Sequence, residues 1–146
     1  MRTPAALLLA CLAFLGVLRA HAQSAALSAQ DAWIRATPGV DVAAAYLTLH
    51  NGGTRPVVVI GVRSPAAAQA MIHETSLVNG QSTMRPHEHL RIAAGETLRL
   101  APGALHIMLQ GLTRTLAPED EIPLVLLLEG GGTLSVTARV RPLDAE

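Results

Sequence analysis

From residue 31 to residue 140 the chain is cut into short apolar runs by closely spaced turn residues, and no long stretch carries convincing helical periodicity. Many short strands with turn residues between them argue for an antiparallel β-sandwich or barrel. Residues 31–36 read as a strand holding the only indole, Trp33, which is expected to anchor the core. Residues 43–50 form a second strand that ends in the turn signal Asn51-Gly52-Gly53. The β-branched run 57–62 suits a buried strand. The Ala-rich segment 64–70 reads as a loop or a single helical turn. Residues 71–77 and 82–85 predict a hairpin around Asn79-Gly80, the favoured two-residue turn, with the returning strand stopped by Pro86. Further short strands are expected at 90–93, 97–100 and 105–110, with Gly95 and a type II turn at Pro102-Gly103 between them. A last hairpin, 122–129 with 133–140, turns at Gly130-Gly131-Gly132 and leaves a short polar tail, 141–146. There is no internal repeat and no sign of a second domain.

The start of the chain reads as a secretory signal peptide. Arg2 supplies a positive charge, residues 5–17 an apolar run and Ala20-His21-Ala22 a small-residue cleavage site, in the expected order. The apolar run is too short to span a bilayer, which takes about 20 residues. Residues 1–22 are therefore expected to be removed, leaving 23–146 as one domain that starts at Gln23. Leu8-Leu9-Ala10-Cys11 loosely resembles a lipoprotein signal, but a cut there would leave apolar residues 12–18 at the mature start. Cleavage after Ala22 removes Cys11, the only cysteine, so the mature domain has no disulfide, thiolate ligand or cysteine nucleophile.

The 11 basic residues are all arginines and balance 11 acidic residues. No basic patch argues for nucleic acid. After the signal no apolar run approaches the length of a membrane span.

Four residues carry the chemistry. His73 is followed after ten residues by Met84, then after twenty-one by His106, and after one more by Met108. Thioether sulfur and imidazole nitrogen together suit a soft, low-valent metal, above all Cu(I). His106 and Met108, two apart on a strand, face the same side, whereas Glu74 should face away from His73. Thioethers need no deprotonation, so only the histidines should weaken binding in acid. Apart from the initiator, the remaining methionine is Met71, two before His73. It could ligate or pack beside the site. His87 and His89 are expected on a solvated loop after Pro86, and His50 beside its turn reads as structural.

This spacing, complete at His73, Met84, His106 and Met108, resembles the hallmark of the PCuAC-type periplasmic copper(I) chaperones. The flanks are similar too: Asp31-Ala32-Trp33-Ile34-Arg35, Ala44-Ala45-Tyr46-Leu47, His73-Glu74-Thr75, Met84-Arg85-Pro86, and Pro102-Gly103 leading into His106-Ile107-Met108-Leu109. The resemblance implies an all-β, cupredoxin-like antiparallel β-sandwich, a periplasmic monomer that carries one exposed Cu(I). It also implies delivery toward the CuA site of cytochrome c oxidase or a Sco-type protein. Some members carry a His- and Met-rich C-terminal extension. Here no His or Met follows Met108, so no tail site is expected. An electron-transfer cupredoxin would need a cysteine thiolate beside its histidines. No Ser-His-Asp order or phosphate loop marks an enzyme. The remaining alternatives are a metal-free β-sandwich interaction module and a copper-tolerance or storage protein.

Overall fold

The computed structural model describes residues 26–142. The expected signal segment, with Cys11 and His21, lies outside the described residues. The regular elements are ten strands: β1 (Leu27–Ala36), β2 (Val42–Asn51), β3 (Val57–Arg63), β4 (Ala67–Val78), β5 (Gln81–Pro86), β6 (Leu90–Ile92), β7 (Thr97–Leu100), β8 (Leu105–Leu112), β9 (Glu121–Leu128) and β10 (Thr133–Arg141). They form one path in the order β5-β4-β8-β2-β1-β10-β9-β3-β6, with β7 also paired to β2. The path folds over so that β2 and β8 face β3, β6 and β9 across a single apolar cluster, which includes Leu47, Ile107, Val59, Ile92 and Leu126. This is the expected all-β sandwich, with open edges at β5 and β6. Among the described residues no helix is long and apolar enough to cross a membrane.

Turn chemistry places the hairpins where the sequence puts them. Asn79 and Gly80 both have positive φ, 52° and 78°, as a type I′ turn requires. Pro86 closes β5 at the edge of the sheet, where a missing N–H costs no ladder bond.

Four details depart from the expectations. The first concerns strand direction: β1 runs parallel to β10, because the final strand returns along the edge of β1 not taken by β2. The second is the start of β1, which begins at Leu27 and accommodates a bulge between Gln30 and Trp33, with Asp31 at φ 52°. The third is the Ala-rich segment. Only its first residues turn, and from Ala67 it is strand, paired along β8. There Ala68 packs closely over Gly111, where an added Cβ would stand 3.0 Å from the Ala68 Cβ. The fourth is Trp33, which is no core anchor. Ile34 takes the core position at 0% exposure, and strand alternation turns Trp33 to the outer face. There it stacks on Tyr46 at 4.5 Å between ring centroids, and the Arg35 and Arg141 guanidinium groups lie 5.5 and 4.7 Å from its ring.

Two features lock the ends of β2. β7 pairs with its second half and β8 with its first half, along the same edge, so residues 101–104 loop out between them. That loop is closed by the Ala101 N–H donating to the Leu105 carbonyl at 2.9 Å. At the far end Asn51, 0% exposed, donates from Nδ2 to the carbonyls of Arg55, Ile92 and Ala93 at 2.8, 3.1 and 3.1 Å. Its Oδ1 accepts from the Gly53 N–H at 3.0 Å. The sequence reads Asn51 as a turn residue, yet it is also the buried clasp joining β2 to the end of β6.

Candidate metal centre

Strand pairing builds the centre. β4 and β8 are antiparallel neighbours, and their register sets His73 opposite His106 and Met71 opposite Met108. The intervening residues Ile72 and Ile107 are core, at 5% and 0% exposure, so the His and Met side chains share the outer face of the sheet. On β5 Met84 stands opposite Thr75, two residues from His73 on that face, and is 56% exposed. His73, His106 and Met108 are therefore drawn together on adjoining strands, with Met84 on the edge strand to one side and Met71 within the set.

The two imidazoles meet edge to face, with centroids 5.9 Å apart and planes at 88°. His106 is nearly buried, at 5% exposure. Its Nδ1 lies 3.1 Å from the Ala104 carbonyl, which can only accept, so Nδ1 carries the proton and Nε2 keeps a free lone pair. The same carbonyl accepts from the Thr75 N–H at 3.1 Å, tying the 101–104 loop to β4. The His106 ring also lies 6.4 Å from that of Tyr46. The Met108 sulfur accepts from Gln110 Nε2 at 3.4 Å, which orients the thioether and leaves it a second lone pair. Gln110 and the Ala104 carbonyl were not singled out by the sequence, and Tyr46 entered only as part of a flank similar to the family. Alternation could have flagged Gln110, two residues after Met108, but a backbone carbonyl leaves no mark in the residue string.

His73 Nδ1 is buried and has no hydrogen-bond partner. A buried nitrogen without a partner is costly unless something binds it, and a soft cation fits this donor set. Burial first, and the neighbouring His106 second, hold the His73 imidazole below the usual histidine range. Its ring therefore stays neutral at a pH where an ordinary histidine begins to protonate. Proton competition at His73 should accordingly set in at lower pH than at an ordinary histidine, so Cu(I) affinity should hold near neutral pH and fall in acid solution. Chelator competition at stepped pH would measure this. A decline already between pH 8 and 7 would mean that these imidazoles do not hold the ion.

The other histidines stand apart. His87 donates its backbone N–H to Ile72 and places its ring 3.8 Å from the Glu74 carboxylate, a pair whose side chains lie on the face opposite His73. His89 is exposed. His50 Nδ1 lies 3.0 Å from the Thr97 hydroxyl, in keeping with a structural role. Among the described residues there is no group of three or more His, Cys, Asp or Glu that could hold a metal.

This fold is similar to that of solved PCuAC domains. The copper-bound PCuAC domain from PmoF2 matches with a TM-score of 0.66 at 20% identity, over 80% of this chain and 92% of that one, a likeness of fold. The Cu(I) form of DR1885 from Deinococcus radiodurans matches with the same TM-score, 0.66, at 33% identity over 85% of this chain and 84% of that one. The resemblance to the PCuAC-type family drawn from the His–Met spacing is thus borne out. Residues 27–140 also match the family model described as "Putative lipoprotein LpqE-like". A relative from Leifsonia xyli subsp. xyli, named "Putative lipoprotein Lxx21020", is 37% identical over 120 residues, which are 82% of this chain and 72% of the relative. The chain belongs to the LpqE-like family.

Proposed function

We propose that this protein is a copper carrier that binds one Cu(I) through His73, Met84, His106 and Met108 and passes it on by ligand exchange, with no chemical step of its own. The observation that carries this reading is the cross-strand pair of His73 and His106, one with an orphaned nitrogen and the other with its tautomer fixed, flanked by Met108. Two imidazoles and two thioethers favour Cu(I) over Zn(II). Met84, exposed on the edge strand, is the sulfur an incoming acceptor would displace first. The copper-bound neighbours support the cargo. The acceptor is a copper site of the CuA type in cytochrome c oxidase, or a Sco-type protein, met through a transient contact. The test is a competitive Cu(I) titration against a chromophoric chelator. One tight equivalent, with no comparable Zn(II) binding, is expected. A chain that binds no Cu(I) would instead be a metal-free interaction module.

We further propose that the protein is exported and works as a monomer in the periplasm, with mature residues 23–146. The names of the relatives keep the alternative at Cys11 in play. The intact mass of the exported protein should correspond to a chain starting at Gln23. A diacylated chain starting at Cys11 would replace this reading with a lipid-anchored one.

A further inference from the structure

We propose a second Cu(I) seat on the same sheet face, formed by Met71, His73, His106 and Met108, in which the Met71 sulfur takes the place of Met84. The proposal rests on the carrier reading above and deepens it.

Register carries the inference. Met71 stands directly across from Met108, and His73 directly across from His106, as adjacent pairs on β4 and β8. Directly opposed residues hold their Cβ atoms about 4.5–5.5 Å apart, and the two pairs are separated by about 7 Å of strand rise. Four donors thus stand at the corners of a small rectangle, two thioethers along one side and two imidazoles along the other. Methionine's three rotatable bonds let both sulfurs lean toward the rings. Met71 and Met108 are both partly buried, so an ion held here is sheltered.

Met84 occupies a different place. It lies across β4 from β8, opposite Thr75. It stands on the hairpin side of His73, at the level of Thr75, whereas Met71 stands on the other side, at the level of Met108. His73 is the donor nearest to both ends of the face. A seat using Met84 lies toward the open hairpin edge, and a seat using Met71 lies toward Gln110, which holds the Met108 sulfur. The two seats share the histidines. Movement between them breaks one Cu–thioether bond and forms another, with copper remaining Cu(I) and no proton released. The inner seat stores the ion. The outer seat presents it on an exposed sulfur to an acceptor.

The experiment compares the exported wild-type protein with Met71→Leu, Met84→Leu and the double variant, by Cu(I) chelator competition and by X-ray absorption counting of sulfur neighbours. Leucine preserves bulk on a face outside the core, and circular dichroism checks the fold. Met84→Leu should retain one equivalent, weakened by no more than about tenfold, with two sulfurs still bound. The double variant should weaken by about 100-fold or more and fall to one sulfur, a larger loss than removing a group that only supports a ligand typically causes. If Met84→Leu alone loses copper as fully as the double variant, and Met71→Leu matches wild type, Met71 only packs beside the site and the proposal is overturned. If wild type itself takes no Cu(I), the carrier reading falls, and this proposal with it.

Discussion

Replacing His106 with alanine is expected to lower Cu(I) affinity by at least about 100-fold, beyond the 10–100-fold that losing a ligand's supporting hydrogen bond typically costs. No other candidate donor combines so many constraints. Its ring is nearly buried, its tautomer is set by the Ala104 carbonyl, and it faces His73 across one strand spacing. The other three proposed ligands would remain, but a flexible thioether cannot reproduce a nitrogen fixed in place. The fold should survive, because the apolar cluster lies on the other face of β8. His87→Ala is the matched control and should leave affinity unchanged, since His87 sits with Glu74 on the opposite face. Equal losses in the two variants, measured in the same chelator competition, would show that the copper is not held where the cross-strand pair lies.

Asn51→Ala should produce the largest loss of stability of any single polar substitution among the described residues. The amide serves three carbonyls and one N–H in a wholly buried position. A buried polar group left unsatisfied costs about 1–3 kcal/mol, and more than one is orphaned here, so the loss should be about 3–4 kcal/mol. At about 3–5 °C per kcal/mol for a domain of this size, the melting temperature should fall by about 10–15 °C. Asn51→Asp should be at least as damaging, because a carboxylate oxygen would replace the donor aimed at three carbonyl oxygens. Asn51 lies at the opposite end of β2 from Ala44, the residue paired with Met108, so the folded fraction of either variant should still take up copper. Thermal melts read the first effect and copper stoichiometry the second. A melting temperature within a few degrees of wild type would mean that water satisfies the carbonyls when the amide is gone.

Much of this architecture is legible in the residue string because its turns are written in residues with a conformational reason to be there. Asn79-Gly80, Pro102-Gly103 and the triple glycine at 130–132 all fall between strands where expected. The His–Met spacing is legible for a related reason. A strand repeats every two residues, so His106 and Met108 had to share a face whatever the topology. What was hidden depends on pairing between distant segments. Trp33 has the composition of a core residue, and only the core position of Ile34 shows which face each takes. The 67–70 segment has alanine's helical preference, overridden by its ladder with β8. The parallel partnership of β1 with β10 joins segments about a hundred residues apart and has no local signature.

The alternation that puts Ile72 and Ile107 inward and His73 and His106 outward also divides the chain's tolerance of change. Within β4 and β8, consecutive positions answer to different demands, one to packing and the next, in the proposed carrier, to cargo. A substitution on the outer face can alter which ion is held, or how readily it leaves, while the inner face keeps the scaffold folded. Descent within such a family can therefore explore new metal preferences in single steps, each without a compensating change in the interior.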